Sequence, residues 1–548
     1  MDVLVNQGHS VSTEPFDDQK PGTSGLRKKV ARFQEKHYVE NFIQSIFDTL
    51  PELAGGSLVI GGDGRYFNDQ AIQTIIQVVV ANGVEKLIIG KDGLLSTPAA
   101  AHLIRHTNSD AGIILSASHN PGGPEGDFGI KLNMKNGGPS PQSITDAIYE
   151  NTKSVRTFKK IDCHSVDLAS TGQTQVGPAL VEVIDPVQDY ADLMETQFDF
   201  DAIRQMPVRG IRMVFDAMSA VTGPYACEIF ENRLGFPSGT VINAQPLKDF
   251  GGGHPDPNPV HAHELFDRMM SEGSPEFGAA SDGDGDRNLI VGRSCPVSPS
   301  DSLALLAANA HLVPAFSKGL AGIARSMPTS SAVDRVAEKL GVPLHVTPTG
   351  WKFFGNLMDA GLVNLCGEES AGTGGAHVRE KDGIWAVLFW LNILAVTSKS
   401  VQDIMTDHWQ TFGRTFYQRH DFEGLDETRA SEFFSALEKE AGNLVGRGVD
   451  GLTVVSTEVF EYKDPTTNEI ANNQGVQLFL DGHSRLVFRL SGTGTTGATL
   501  RVYLERLETR PEAFSTDVAD SLSGLTKLYQ ELLNLKHSLG VTEPTTVV

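Results

Sequence analysis

Cysteine is scarce in this chain: the 548 residues hold four, Cys163, Cys227, Cys295 and Cys366, far apart and without a C-x-x-C pair. That spacing excludes a cysteine zinc site and a disulfide framework, and it favours reduced thiols in a cytosol. Long apolar runs are missing too. The longest, Ile384 to Val396, has thirteen residues and is interrupted by Asn392, short of the roughly 20 that cross a bilayer, so it reads as a buried helix. The first residues, Met-Asp-Val-Leu-Val-Asn-Gln-Gly-His-Ser, carry neither a basic n-region nor an apolar h-region, and the expected location is cytoplasmic. Positive charge is the third shortfall: 45 Lys and Arg against 68 Asp and Glu leave a formal net charge of -23. Neither nucleic acid nor an anionic membrane is expected as a partner. Any anionic ligand must meet a local cluster of Arg and Lys.

What remains is ordinary globular composition, with 40% hydrophobic, 21% charged and 7% aromatic residues, and a length that implies three or four domains. Much of the chain alternates a β-patterned strand, a Gly- or Pro-rich turn and a helix with apolar residues at three- and four-residue spacing. Ser57 to Ile60 leads through Gly61-Gly62-Asp63-Gly64-Arg65 to a helix over Asp69 to Ala81. Ile211 to Phe215 leads through Gly223-Pro224 to a helix ending at Leu234, and Gly322 to Arg325 to a helix from Ser331 to Leu340. Repeated βα units predict mixed or parallel sheets covered by helices. From Leu452 to Tyr503 the pattern changes to short strands joined by tight turns, an antiparallel meander, with a helix to follow between Pro511 and Leu535. The fold class expected is α/β: three related mixed α/β domains, 1–189, 190–302 and 303–409, and a C-terminal α+β domain, 410–548, around a central cleft.

Four loops, one in each unit, offer chemistry. Leu115 to Gly123 runs a strand into Ser116-Ala117-Ser118-His119-Asn120-Pro121-Gly122-Gly123. Ser118 stands at the strand end, where with His119 beside it the hydroxyl could serve as a nucleophile; the competing and commoner reading of such a run is a polar turn. Pro121 with the two glycines forbids a helix and leaves an exposed, shaped loop. In Ser281-Asp282-Gly283-Asp284-Gly285-Asp286-Arg287, three carboxylates at alternate positions converge only around positive charge. An EF-hand would need Gly and Glu at the sixth and twelfth places, where Arg287 and Arg293 stand. An all-oxygen set of three aspartates suits Mg²⁺, and the competing reading is a solvated acidic turn. The third loop, Cys366 to Gly374, follows a strand over Val363 to Leu365 and presents Glu368, Glu369 and Ser370 for hydrogen bonding to sugar hydroxyls, with Arg379 and Lys381 within reach. The fourth, Arg489 to Gly497, matches G-x-G-x-x-G, but Thr499 to Leu504 is β-patterned where a dinucleotide fold needs a helix. A Ser/Thr/Gly loop flanked by Arg489 and Arg501 instead makes a phosphate site.

Together these residues resemble the α-D-phosphohexomutases, and within them the long eukaryotic-type phosphoglucomutases. The likeness runs over essentially the whole chain: Asp18 to Arg27, Ser116 to Gly123, Asp282 to Arg287, Thr347-Pro348-Thr349-Gly350-Trp351-Lys352, Gly367 to Ser370 and Arg489 to Gly494. Two departures are small, Ser116 where Thr is common and Ala371 where a bulkier residue is frequent. The resemblance implies a heart-shaped four-domain enzyme that interconverts glucose 1-phosphate and glucose 6-phosphate through glucose 1,6-bisphosphate. It implies Ser118 as the phosphorylated residue, and Asp282, Asp284 and Asp286 holding Mg²⁺ together with a phosphoserine oxygen. Glu368 and Ser370, with Thr349 and Gly350, would read the sugar hydroxyls. Arg489, Ser491, Gly492, Thr493 and Arg501 would clamp the nonreacting phosphate of the phosphorylated hexose. Arg27, Lys131, Arg287 and Lys381 would neutralise a site where a dianionic substrate meets a phosphoserine. His119, Lys131 and Lys381 are the candidates for proton transfer. Within the superfamily a phosphomannomutase or phosphoglucosamine mutase is the nearest rival, and Glu368-Glu369-Ser370 resembles the glucose-preferring group. A weakly active structural or adhesion-associated relative is a rival of another kind. Neither a monomer nor a dimer is implied.

Overall fold

The computed structural model describes residues 8–492 and 497–548. The first sheet is built from β1 (Leu26–Lys29), β2 (Ser57–Gly62), β3 (Lys86–Leu94), β4 (Ala111–Leu115), β5 (Asp127–Met134), β6 (Gly172–Val176) and β7 (Ala179–Ile184). Their order is β1-β5-β4-β2-β3-β7-β6, with β4, β2, β3 and β7 mutually parallel and the flanking strands antiparallel. Helices α1 (Asn68–Ala81) and α2 (Thr97–His106) are its crossovers. A long helix, α3 (Pro186–Gln197), leaves the last parallel strand for the second sheet.

That second sheet comprises β8 (Met213–Asp216), β9 (Val241–Ile242), β10 (Phe277–Ser281), β11 (Asn288–Gly292) and β12 (Cys295–Val297), ordered β9-β8-β10-β11-β12. The third has β13 (Ile323–Ser326), β14 (Leu344–Thr347), β15 (Leu365–Gly367) and β16 (Thr373–Gly375), ordered β14-β13-β15-β16. Each of the three sheets thus repeats one unit: a central strand, a parallel crossover partner on one side, a second parallel strand on the other, and then an antiparallel strand returned by a short loop. The loops at Ser118, Asp282 and Glu368 are the three equivalents of that final turn. Parallel strands need helical crossovers, whereas this turn alone is free to carry irregular, polar chain.

The fourth unit is antiparallel throughout: β17 (Arg414–Leu425), β18 (Gly448–Val449), β19 (Leu452–Val459), β20 (Val476–Leu480), β21 (Ser484–Gly492), β22 (Ala498–Glu508) and β23 (Thr546–Val547), in the order β18-β19-β20-β21-β22-β17-β23. The expected meander is its centre. Sequence reading did not anticipate β17, twelve residues long, nor the helix Glu427–Glu440 after it. The Gln418 to Glu423 stretch of β17 is dense in polar and charged side chains and gives a weak strand signal.

Three further expectations shift. The strand assigned to Val363–Leu365 lies at Leu365–Gly367, because Cys366 and Gly367 are buried and pair with β13 and β16. The helix read to Leu234 is a short α-helix, Thr222–Ala226, continued as a π-helix, Cys227–Arg233. Ser118 itself is buried, 1% accessible, although Pro121 in the same loop is exposed. The four cysteines are free thiols.

The apolar run at Ile384 forms a helix, Gly383–Thr397, with Asp382 as its N-cap through a 3.0 Å bond from the Trp385 N–H. Its surface is apolar all round because every face is covered. It lies in a hydrophobic core that also takes Val59 and Ile114 from the first sheet, Phe215 and Ile290 from the second, and Ile323 and Leu365 from the third. Asn392, which interrupts the run, accepts from the Asp199 N–H at 2.8 Å and donates to the Leu312 carbonyl at 3.0 Å. Among the described residues no single helix is long and apolar enough to cross a membrane.

This shared core yields a first prediction. Phe389 is fully buried, stacked on Phe316 at 5.3 Å and edge-on to Trp385 at 5.2 Å. Phe389→Ala is expected to cost about 3–5 kcal/mol through lost burial and a residual cavity. Equilibrium denaturation in urea measures it, and an unchanged midpoint would show that the helix does not hold the three units together.

Candidate active site

Ser118 is held in a left-handed backbone conformation, φ 53°, which a residue with a Cβ adopts only under constraint. The constraint is a buried ion pair. Arg65, fully buried, is bound through Nε to both oxygens of Asp63 at 2.9 and 3.0 Å, and donates from Nη2 to the Ser118 carbonyl at 2.7 Å and from Nη1 to the Asp127 carbonyl at 2.8 Å. Ser116 completes the frame: its hydroxyl donates to Asp63 at 2.6 Å and accepts the Ser118 N–H at 2.7 Å. With carbonyl and N–H both tied, the Ser118 hydroxyl points out of the first unit and donates to Asp282 Oδ2 at 2.7 Å. A Cβ at Gly283 would collide with the Ser118 carbonyl oxygen, so the glycine spacing of the acidic loop is a packing requirement as well as a turn requirement.

The acidic loop is not a solvated turn, since Asp282, Asp284 and Asp286 are 0%, 0% and 2% accessible. One carboxylate oxygen from each lies within 4.8 Å of the others. Asp282 Oδ1 accepts the N–H groups of Asp286 and Arg287 at 2.9 and 3.0 Å. Asp284 Oδ2 accepts from Thr97 Oγ1 at 2.6 Å and from Lys131, and Asp286 has Lys131 Nζ at 3.7 Å and Lys381 Nζ at 3.1 Å. Burial, and then the Asp286 and Asp284 charges, push the Asp282 carboxyl well above its ordinary pKa. Burial acts on Asp284 in the same sense, but the charge and hydrogen bond of Lys131 and the bond from Thr97 win and hold it below. Lys131 is buried too, and the two aspartates keep its ammonium above the ordinary lysine value.

Three hard oxygen donors from a glycine-spaced loop fit a small divalent cation. Asp284 Oδ1 is a buried oxygen without a hydrogen-bond partner, the kind of orphan that a metal ion satisfies.

The 366–374 loop, expected to read the sugar hydroxyls, packs directly against this cluster. The Asn288 N–H donates to the Ala371 carbonyl at 3.0 Å and Arg287 bridges Gly372, so the acidic and sugar loops share backbone. Ala371 takes the strained turn, φ 69°. Glu368 Oε1 accepts the Gly350 N–H at 3.0 Å, which joins the loop to the Thr349-Gly350 turn, where the Thr349 hydroxyl is buried without a partner. Burial raises the Glu368 carboxyl, with Lys381 opposing. Ser370 is half-buried on the same turn. Glu369 faces elsewhere, accepting from Ser326 at 3.0 Å and from Tyr503 of the fourth unit at 3.2 Å. Arg379 does not join the site, because its Nε is committed to Asp359 at 2.6 Å.

The cations Arg27, Arg287 and Lys381 also gather beside the Ser118 loop near His119. His119 Nδ1 is buried without a partner, and burial followed by Arg287, Arg27, His254 and Lys381 holds its imidazole well below the ordinary pKa. Arg287 Nε lies 4.0 Å from Asp282, and Arg27 Nε is unpartnered.

In the fourth unit Arg489 and Arg501 stand directly opposite each other on β21 and β22, and Arg501 opposite Asp421 on β17. Like charges in cross-strand register repel. Asp421 lies 2.9 Å from Arg419 and 3.8 Å from Arg501, and the Glu369 carboxylate of the third unit also acts on Arg419 and Arg489. Arg501 Nε is buried without a hydrogen bond among the described residues, and Arg489 donates to the Tyr503 hydroxyl at 3.4 Å. Such a face has the chemistry to take an anion. Ser491 is half-buried beside it and Gly492 ends β21; Thr493 lies outside the described residues. Sequence reading missed Arg419, which sits in a strand with little β pattern. It also missed the Asp63–Arg65 frame, whose Gly-Asp-Gly-Arg run has the composition of an ordinary turn.

Comparison with known proteins agrees with this layout. Family models for phosphoglucomutase/phosphomannomutase α/β/α domains I, II and III match residues 18–158, 188–294 and 299–412, and one for the phosphoglucomutase-1 C-terminal domain matches 414–545. The chain is 54% identical over 538 residues to the phosphoglucomutase of Rhizobium radiobacter, covering 98% of this chain and 99% of that one. It is 48% identical to the phosphoglucomutase of Emericella nidulans, with 98% and 99% covered. The crystal structure of the exocytosis-sensitive phosphoprotein parafusin, a Paramecium phosphoglucomutase in its open form, superimposes with a TM-score of 0.90 at 45% identity over 99% of both chains. A putative phosphomannomutase from Thermus thermophilus shares the fold, with a TM-score of 0.70 at 23% identity over 96% of this chain and all of that one. With all four models in order and near-complete likeness to curated enzymes, this chain belongs to the phosphoglucomutase family.

Proposed function

We propose that this enzyme interconverts glucose 1-phosphate and glucose 6-phosphate, with Ser118 as the phosphoryl carrier and glucose 1,6-bisphosphate as the intermediate. One observation carries the reading: a serine hydroxyl from the first unit, strained into place, meets at 2.7 Å a buried three-carboxylate cluster from the second. When bound by Asp282, Asp284 and Asp286 with an oxygen of phosphorylated Ser118, a Mg²⁺ ion supplies Lewis-acid neutralisation of the phosphoryl group.

The chain's own residues do the rest. The P–Oγ bond on Ser118 breaks as a bond forms from phosphorus to a sugar hydroxyl oxygen, and that hydroxyl gives up its proton. Arg65, holding the Ser118 carbonyl, fixes the direction of the Oγ, so the carrier is oriented before substrate arrives. Arg27, Arg287 and Lys381 offset the approach of a dianion to a phosphoserine. Lys131 is committed to Asp284, and we assign it a charge-balancing role. Lys381 reaches Asp286 from beneath the sugar loop, where its stem packs under Gly372, and His119 keeps Nδ1 free. These two are the proton-transfer candidates that the packing favours. Glu368, Ser370, Thr349 and Gly350 hold the sugar hydroxyls, and Arg489, Ser491, Gly492, Thr493 and Arg501 take the phosphate that is not reacting. The bisphosphate then turns over to return a phosphoryl group to Ser118. Opening and closing of the fourth unit serves that turn: among the described residues its hydrogen bonds to the rest of the chain run to the third, through Arg485 to the carbonyls of Met327 and Thr329 at 3.0 and 2.8 Å and through Tyr417 to Pro328 at 2.8 Å.

Ser118→Ala is expected to lower mutase turnover by about 10³-fold or more with little change in thermal midpoint, because the frame through Asp63 and Arg65 is left standing. A coupled assay from glucose 1-phosphate, with and without the bisphosphate, measures it. Near-normal turnover overturns the covalent assignment.

The aspartates separate into two kinds of variant. Asp282→Asn and Asp284→Asn are both expected to raise the Mg²⁺ concentration needed for activity and to leave a chelator-treated enzyme inactive. Asp284→Asn also removes the closest counter-ion of the buried Lys131 ammonium and leaves it Asp286 at 3.7 Å, with a stability cost of about 1–3 kcal/mol, whereas Asp282 is an acid that burial already disfavours as an anion. Activity against Mg²⁺ and melting without Mg²⁺ are the two readouts, and matching melts for the two variants would contradict the pairing.

Arg501→Ala is expected to raise KM for glucose 1-phosphate, with a loss of about 2–4 kcal/mol in kcat/KM. It also relieves the cross-strand repulsion with Arg489, so the free enzyme should be no less stable. Unchanged kinetics, or marked destabilisation, would remove the clamp assignment.

A further inference from the structure

We propose that His102, His106 and Asp189 form a second metal site, separate from the aspartate cluster, that takes a borderline divalent cation such as Zn²⁺. His102 and His106 are four residues apart on α2, so both imidazoles project from one face, with ring centroids 5.3 Å apart. Asp189, in the first turn of α3, stands between them: His102 Nε2 is 3.1 Å from Oδ2 and His106 Nε2 is 3.7 Å from Oδ1. One ligating atom from each residue lies within 4.8 Å of the others. A tetrahedral ion with bonds of about 2.0–2.1 Å sets its ligand atoms roughly 3.4 Å apart; the two histidines reach different oxygens of Asp189, at 3.1 and 3.7 Å, so a small side-chain shift would bring one oxygen to both.

The donor chemistry differs from that of the aspartate cluster. Two imidazole nitrogens and one carboxylate suit zinc, cobalt or nickel, whereas Mg²⁺ seeks oxygen. His106 is the last residue of α2, so a cation there meets the negative end of the helix dipole. Burial, working against the Asp189 charge, holds His102 below its ordinary pKa, which favours the neutral, ligating form. The side chains of His102, Asp189 and His106 are 13%, 32% and 61% accessible, so an ion can enter from solvent and keep water in its remaining position.

The site joins two elements that matter. The first residue of α2, Thr97, donates to Asp284, and α3 leads from the first sheet to the second. A bound ion would clamp the far end of α2, about 14 Å from Thr97 at 1.5 Å per residue, to that connecting helix, raising stability without touching the chemistry.

The full-length enzyme, freed of metal and then kept in excess Mg²⁺ to fill the aspartate cluster, is titrated with Zn²⁺ by calorimetry and with Co²⁺ by visible absorption. Wild type is expected to bind one equivalent, to show the intense bands of four-coordinate Co²⁺, and to melt higher with Zn²⁺. His106→Gln and His102→Gln should each weaken binding roughly 100-fold and abolish the melting shift, while His106→Gln leaves Mg²⁺-supported mutase turnover unchanged. No binding by wild type in excess Mg²⁺ overturns the proposal. So does an equivalent that survives both substitutions, which would place the ion on the aspartates.

Discussion

Three carboxylates buried within 4.8 Å of one another are the constraint on which the rest of this structure turns. At an effective dielectric of about 20, two like charges at that distance repel by roughly 3–4 kcal/mol, and there are three such pairs. The fold answers with cations from different units: Lys131 comes from the first sheet and Lys381 from the third, while Arg287 belongs to the acidic loop itself. Domains that supply each other's counter-ions cannot drift apart without exposing unpaired buried charge. The electrostatics that suit the loop to a metal ion and an anionic substrate therefore also set the arrangement of the first three units.

The second constraint is geometric. The three α/β units place their polar loops at the same topological point, the turn from a central parallel strand to its antiparallel neighbour. Repetition of one unit thus delivers three loops of different chemistry to one place. Within the first of them, the strain at Ser118 is balanced by a fully buried Asp63–Arg65 pair whose donors are spent on carbonyls of the Ser118 loop and of Asp127. Rigidity is gained there by burying an ion pair, a costly choice for stability but a sound one for aiming a hydroxyl.

The fourth unit behaves differently. Its inward face carries Arg419, Arg489 and Arg501, with Asp421 and the Glu369 carboxylate of the third unit as counter-charges. Its anchor is the third unit, where Arg485, paired with Glu505, caps the Met327–Thr329 turn and Tyr503 meets Glu369. Glu368 and Glu369, adjacent in sequence, thereby face opposite tasks: one holds the 366–374 loop to Gly350 and the other bonds the fourth unit through Tyr503.

Much of this was determined by local sequence. The βα alternation, the buried helix around Ile384, the glycine-spaced aspartates and the failure of the G-x-G-x-x-G run as a dinucleotide motif all rest on periodicity and turn chemistry within about ten residues. The tertiary structure alone decided what depends on partners far along the chain. That Ser118 is buried and aimed at Asp282, 164 residues away, follows from how two sheets pack. That Arg379 turns to Asp359 while Lys381 turns to Asp286 depends on which carboxylates packing brings near each, and no spacing encodes it. The polar strand at Arg414 and the arginine it adds to the clamp were hidden because a strand between two others is stabilised by its neighbours' hydrogen bonds more than by its own side-chain pattern. A sequence states which groups are present; only packing decides which charges are left facing one another.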